Sequence, residues 1–166
     1  AGFSFVNRIT QEAGDFVPGT RQVTFPLPDA PLGVFICYES VFPDYIRRYA
    51  RDGAAVFANL SNDGYFGDSK AREQHLSIVR MRAVENKRWI LRATNSGVSA
   101  SIDPAGRISQ TLPQYERTAQ SVRYGLVRDV TLYSRFGDWF AWSCLALGLL
   151  AAGLRARHPK PWNFEQ

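Results

Sequence analysis

Two short apolar runs, Leu32–Cys37 (LGVFIC) and Ala54–Leu60 (AAVFANL), set the first limit on the fold. Each has strand length and lacks the polar alternation of a strand with one wet face, the pattern of strands covered on both faces. Between them Pro43 opens a helix to about Asp52, with apolar Tyr45, Ile46 and Tyr49 and basic Arg47, Arg48 and Arg51. Gly53 closes it, as a C-terminal glycine does. Val23–Leu27 alternates ahead of the turn Pro28-Asp29-Ala30-Pro31. A longer helix is expected over about Ser69–Asn86, with Leu76, Val79 and Ala83 on one stripe. Trp89–Ala93, Val98–Ile102 and Arg107–Leu112 then read as strands, the last two joined by Asp103-Pro104-Ala105-Gly106. Strand, helix, strand, helix and a closing meander imply an α/β sandwich.

A chain of 166 residues suits one domain. With 45% hydrophobic and 13% aromatic residues it has enough apolar surface to fold, which excludes disorder. Two cysteines exclude a disulfide scaffold and a four-thiolate zinc site. The net charge of +5 is carried almost entirely by arginine, the lysines being Lys70, Lys87 and Lys160. Such a surface suits water, anionic head groups or nucleic acid. The arginines are scattered, with clusters only at Arg47-Arg48 and in the tail, which favours a solvated surface.

One stretch departs from this composition. From Trp139 to Leu154 the chain reads WFAWSCLALGLLAAGL without a charge, and Arg155, Arg157, His158 and Lys160 follow at once. A membrane span needs about 20 apolar residues, with about 17 near the lower limit, so the run is marginal by length. A buried C-terminal helix of a soluble core is the competing reading. Trp139 and Trp142 at one end, Trp162 beyond the other and the abrupt basic stop favour the membrane, because the water–lipid boundary selects those residues. The expectation is a transmembrane helix over 139–154, a basic cytoplasmic tail over 155–166, and residues 1–138 on the outer face. The opening AGFSFVNRITQEAG lacks the basic-then-apolar pattern of a secretory leader.

Polar residues gather where the strands end. Cys37 closes the first apolar run just before the Pro43 helix, and open α/β sheets collect ligands at C-terminal strand ends. A thiol there is reachable on a rigid backbone, the Tyr38 N–H can face a developing oxyanion, and Glu39 adds a carboxylate within reach. A lone cysteine after a strand is also commonly just a small buried hydrophobe. Cys144 sits midway in the apolar run, which assigns it to packing or lipid contact rather than to a bond with Cys37. The second run ends in Asn59, Ser61, Asn62 and Asp63 and passes into Gly64-Tyr65-Phe66-Gly67. A Gly-rich aromatic loop at that edge suits a substrate rim over an acyl group, formed by Asn62, Asp63, Tyr65 and Phe66. An Asx turn capping the next helix uses the same composition. Thr94-Asn95-Ser96-Gly97 makes a second polar corner. His75 lies inside a helix, so it reads as a hydrogen-bonded spacer rather than a base for Cys37. Neither a metal nor a cofactor is expected.

Gly33-Val34-Phe35-Ile36-Cys37-Tyr38-Glu39, followed by Val41-Phe42-Pro43, resembles the nucleophile segment of the carbon–nitrogen hydrolase (nitrilase) superfamily. The later motifs narrow the likeness: Asn59-Leu60-Ser61-Asn62-Asp63, Phe66-Gly67, Gln74-His75-Leu76, and Arg80-Met81-Arg82-Ala83-Val84-Glu85-Asn86. With Arg92-Ala93-Thr94-Asn95-Ser96-Gly97, Arg135-Phe136-Gly137-Asp138, and Asp15-Phe16 and Pro18-Gly19 upstream, they look like the bacterial apolipoprotein N-acyltransferase family. The likeness runs from about Asp15 to the C-terminus. It implies the C-terminal half of a nitrilase-like α-β-β-α sandwich followed by one C-terminal membrane helix. The domain would face the periplasm at the bacterial inner membrane, with the C-terminus in the cytoplasm.

The resemblance also implies acyl transfer in two steps. The matched Cys37 attacks a phospholipid ester and forms a thioester while a lysophospholipid leaves. The free α-amine of an apolipoprotein's N-terminal diacylglyceryl-cysteine then takes the acyl chain. Tyr38 would help hold the oxyanion and Glu39 would position the loop or the incoming amine. The implied partners are a phospholipid donor, an apolipoprotein N-terminus and the membrane, with no nucleic acid and no cofactor. Tyr65 stands where the family typically carries tryptophan. The superfamily's catalytic triad is Glu–Lys–Cys, and its glutamate and lysine have no matching positions here, since Glu12 and Lys70 lie outside the motif. Position 1 is Ala and Met81 is the sole methionine, so either an initiator Met has been removed or the chain begins inside a longer protein. The expectation is a fragment that is catalytically incompetent as it stands. Two rivals remain: a soluble amidase of the same superfamily with 139–154 packed on protein, and a non-catalytic interaction module in which Cys37 is structural.

Overall fold

The computed structural model describes residues 19–67 and 69–157. Glu12, Asp15-Phe16, Pro18 and the tail positions His158, Lys160 and Trp162 lie outside the described residues. Six strands form one mixed sheet in chain order: β1 (Thr24–Phe25), β2 (Leu32–Ile36), β3 (Val56–Ser61), β4 (Ile90–Thr94), β5 (Ala100–Ile102) and β6 (Ile108–Thr111). β2, β3 and β4 are parallel, with Phe35 opposite Asn59 and Asn59 opposite Arg92. Parallel neighbours need crossovers, and α1 (Pro43–Arg51) and α2 (Ala71–Asn86) supply them. β1 and the β4–β5–β6 meander pair antiparallel. The hairpin after β5 closes on Asp103, whose Oδ1 accepts from the Ala105 and Arg107 N–H groups at 2.9 Å each.

The core lies on one face of the sheet. Phe35, Phe57, Ile90 and Ile102 pack against Ile46, Tyr49 and Ala50 of α1 and Leu76, Val79 and Ala83 of α2. Gly33 lets α1 approach, because a Cβ there would come within 2.9 Å of the Tyr49 side chain. Tyr49 Oη instead donates to the Val34 carbonyl at 2.6 Å. The burial on both faces expected for β2 and β3 fails at their C-terminal ends. Phe35 and Asn59 are fully buried under the helices, whereas the next residues, Ile36 and Leu60, are 59% and 47% exposed. The helices cover one face, and the described residues do not cover the other at this end.

After β6 the chain crosses back to α3 (Leu132–Phe136), which docks on α1 and α2. Thr131 caps it: its Oγ1 accepts from the Ser134 N–H at 2.9 Å and donates to the Glu85 carbonyl at 2.6 Å. Ser134 Oγ donates to Asn86 Oδ1 at 2.8 Å. Gly137 then turns the chain with φ +63 into α4 (Trp139–Arg157), which has no buried residue. The apolar run is therefore a helix longer than the 139–154 expected, and none of the described residues buries it. Its length and composition make it a candidate membrane span.

Candidate active site

β2 ends at Ile36, and the chain turns at once into a short 3-10 helix, Cys37–Val41. Cys37 sits at φ +46, the left-handed region, and is half-buried. A residue with a Cβ is held there only where its surroundings over-determine it, at a cost of order 1–3 kcal/mol. Two contacts do so. Glu39 reaches back so that its Oε2 accepts from the Ile36 N–H at 2.6 Å, closing the turn. From below, His75 Nε2 of α2 lies 3.1 Å from the Cys37 carbonyl oxygen and 3.0 Å from Ser40 Oγ. Tyr38 is 60% exposed and packs edge-to-face on Phe42. Glu39 thus grips backbone at the entry to the turn.

The loop after β3 divides the four expected rim residues. Asn62 caps a second 3-10 turn, Asp63–Phe66, its Oδ1 accepting from the Gly64 N–H at 3.1 Å and from Asn95 Nδ2. Asn62 and Tyr65 face outward, Tyr65 at 86% exposure. Phe66 turns back to pack edge-to-face on the His75 ring at 5.5 Å. Asp63 is no rim residue: it is fully buried. Residues three apart in a 3-10 turn point the same way, so Asp63 and Phe66 both face His75.

Inside, Asp63 is fully engaged. Its Oδ1 accepts from Ser61 Oγ at 2.6 Å and lies 3.1 Å from His75 Nδ1, and its Oδ2 accepts from Arg92 Nη2 at 2.6 Å. Burial alone would raise the Asp63 pKa, but the Ser61 hydrogen bond, the Arg92 charge and His75 outweigh it and hold the carboxyl below the usual range. Arg92 Nη1 donates to Asn59 Oδ1, and Asn59 Nδ2 donates to the Phe35 carbonyl at 3.3 Å. Burial lowers the pKa of the Arg92 guanidinium, with Asp63 and then Cys37 opposing that shift. Gly97 closes over this pair: a Cβ there would lie 2.0 Å from Asp63 Oδ2. One buried polar chain therefore runs from β2 through β3 and β4 to the underside of the Cys37 turn.

Above the strand ends lies an open recess of about 470 Å³, lined by Ile36, Leu60, Ser61, Asn62, Ala93, Thr94 and Asn95. It begins at the residue before Cys37 and takes in the second polar corner. Of the expected rim residues, Asn62 lines it. His75 touches the Cys37 backbone and Ser40, which fits a spacer. Sequence reasoning gave Arg92 and Ser40 no role, because nothing local distinguishes them from a solvated arginine and a turn serine.

Residues 3–129 match the carbon-nitrogen hydrolase family. The chain belongs to that family. The apolipoprotein N-acyltransferase of Geobacter metallireducens is 35% identical over 153 residues, which are 92% of this chain and 29% of that protein. The apolipoprotein N-acyltransferase of Rhodopseudomonas palustris is 40% identical over 156 residues, 92% of this chain and 28% of the relative. This carbon–nitrogen hydrolase chain therefore spans less than a third of the length of these relatives. Among solved structures, Saccharomyces cerevisiae Nit3, a member of branch 10 of the nitrilase superfamily, superposes with a TM-score of 0.53 at 25% identity. The match covers 59% of this chain and 39% of that one. A nitrilase-type fold with one apolar C-terminal helix is what the chain adopts.

Proposed function

We propose that this chain is the C-terminal portion of an apolipoprotein N-acyltransferase in which Cys37 carries the acyl group. The observation that carries the reading is the half-buried thiol on a left-handed turn at the ends of three parallel strands, beside a recess. The relatives' activity supplies the reaction class. The thiolate attacks the ester carbonyl of a phospholipid, and the tetrahedral oxyanion collapses to a thioester as the lysophospholipid alkoxide leaves and takes a proton. The α-amine of the apolipoprotein's diacylglyceryl-cysteine then attacks the thioester. An amide forms, a proton is lost and the thiolate returns. A thiolate is both nucleophile and leaving group, which splits one hard exchange into two easier ones. The Tyr38 N–H serves the oxyanion, while Asn62 and the exposed Tyr65 shape the approach. The triad's glutamate and lysine come from polypeptide outside this chain.

In this reading residues 1–138 form the catalytic portion on the periplasmic side of the inner membrane, and α4 crosses it. The 19 residues of α4 rise about 28 Å against a hydrocarbon core of about 30 Å. Trp139 and Trp142 take the outer interface, and Arg155 and Arg157 snorkel to the cytoplasmic one. The exposure of this helix among the described residues supports that reading over a soluble amidase, which would bury it.

Joining the chain to the upstream portion of a relative tests the proposal. The joined protein should acylate a diacylglyceryl lipopeptide from phospholipid, the 166-residue chain alone should not, and Cys37→Ala in the joined protein should abolish transfer. Acylation that survives Cys37→Ala overturns the nucleophile, and release of the chain into a carbonate wash overturns the membrane helix.

A further inference from the structure

A peptide unit is planar, and in its trans form the C=O and N–H point in opposite directions. No peptide among the described residues is cis, so the direction of the Cys37 carbonyl fixes that of the Tyr38 N–H. That carbonyl is turned inward, its oxygen 3.1 Å from the Nε2 of His75, a residue only 3% exposed. The Tyr38 N–H therefore points away from α2. We infer that His75 is the positioning residue for the oxyanion donor: by pinning the carbonyl of residue 37, it aims the Tyr38 N–H at the oxygen that gains charge when Cys37 is acylated. The inference rests on the reading of Cys37 as the acylated nucleophile, and adds to it a residue that never touches the thiol.

The contacts show how the ring is held. A carbonyl oxygen only accepts, so Nε2 must carry a hydrogen. Nδ1 then faces Asp63 Oδ1 at 3.1 Å and Arg92 Nη2 at 3.3 Å. Asp63 Oδ1 accepts from Nδ1 on the far side of the ring, and Asp63 Oδ2 accepts from Arg92 Nη2. Asp63 thus holds both Arg92 and the ring, and Phe66 packs against the ring. Ser40 Oγ, 3.0 Å from Nε2, accepts beside the carbonyl. The ring's orientation is thus set by residues from three other elements, and its free hydrogen goes to the nucleophile's own peptide.

Two reagents separate this role from a merely structural one. Iodoacetamide alkylates a thiolate by displacement at a saturated carbon, releasing iodide, and develops no oxyanion. p-Nitrophenyl butyrate acylates it through a tetrahedral oxyanion, the thiol proton passing to solvent as p-nitrophenolate leaves. Both are followed on the protein joined to the upstream portion of a relative, by intact mass and peptide mapping, with Cys144 as internal reference. The wild type should be acylated faster at Cys37 than at Cys144. His75→Ala should slow acylation of Cys37 about 10-fold or more while leaving its alkylation within about 2-fold. His75→Gln keeps an N–H within reach of the carbonyl and should restore acylation to within about 3-fold of wild type. Unchanged acylation in His75→Ala, or acylation and alkylation falling together in both variants, overturns the inference. Should His75→Ala unfold the chain, His75→Gln decides: retained acylation supports the role, and lost acylation with retained alkylation overturns it. Wild-type acylation no faster at Cys37 than at Cys144 instead overturns the nucleophile on which the inference rests.

Discussion

Two carboxylates, each beside an arginine, lie near opposite ends of α2 and are handled in opposite ways. Asp63, under the Cys37 turn, receives Ser61, Arg92 and His75, and its pKa is held down despite burial. Glu85, at the root of α4, is raised by burial first, with Arg82 at 3.1 Å opposing and Asp138 reinforcing the shift. Burial and the Glu85 charge also push the nearby Tyr133 hydroxyl up. Burial alone therefore does not decide a carboxylate's charge; the number and kind of its donors does. The Cys37 turn rests on a buried ion pair, whereas the helix root holds an acid whose pKa burial raises.

The comparison breaks first at Asp63. Asp63→Ala leaves Arg92 charged, buried and unpaired and should cost about 3–5 kcal/mol in urea unfolding. A loss under about 1 kcal/mol would mean that Arg92 finds other partners. Acid tests the same pair more gently. A carboxyl held low when folded stabilises fully above its unfolded value, about 3.9, and that stability is lost as pH falls through the lower folded value. The urea midpoint should drop as pH falls below about 4, and Asp63→Asn should flatten that drop. Glu85 carries the opposite sign: its raised folded value makes stability fall as pH rises through it. Glu85→Gln should therefore change stability at pH 7 by no more than about 1 kcal/mol. Equal costs at Asp63 and Glu85 would erase the distinction between the two sites.

Local signals made most of the fold legible. Pro43 and Gly53 bracket α1, the apolar runs mark β2 and β3, and Asp103-Pro104-Ala105-Gly106 marks the hairpin, each within a residue or two of its place. The alternating Val23–Leu27 shrinks to Thr24–Phe25, an edge with a single neighbour. The position of Cys37 at a strand end was equally plain. Its supports were not. The buried side of α2 holds His75, Leu76, Val79, Arg82, Ala83 and Asn86, a helical face by spacing but half polar in kind. A search for apolar periodicity registers only Leu76, Val79 and Ala83 on it. The inward turn of Asp63 was hidden for a related reason: composition marks a polar loop, and only three-dimensional pairing with Arg92 says which polar residue goes inside.

The Cys37 turn has a consequence for how the protein is made. Its geometry is held at one end by Glu39, a local contact, but from below by His75, which follows it by 38 residues. His75 in turn depends on Arg92 of β4, and the Asp63–Arg92 pair is enclosed only when Gly97 has closed over it. Synthesis runs from the N-terminus, so the thiol leaves the ribosome well before the strand that shapes it. Non-local contacts of this kind form late in folding, after the entropy of closing the intervening chain has been met. The cysteine thus appears before the residues that shape it and is among the last to acquire its working conformation.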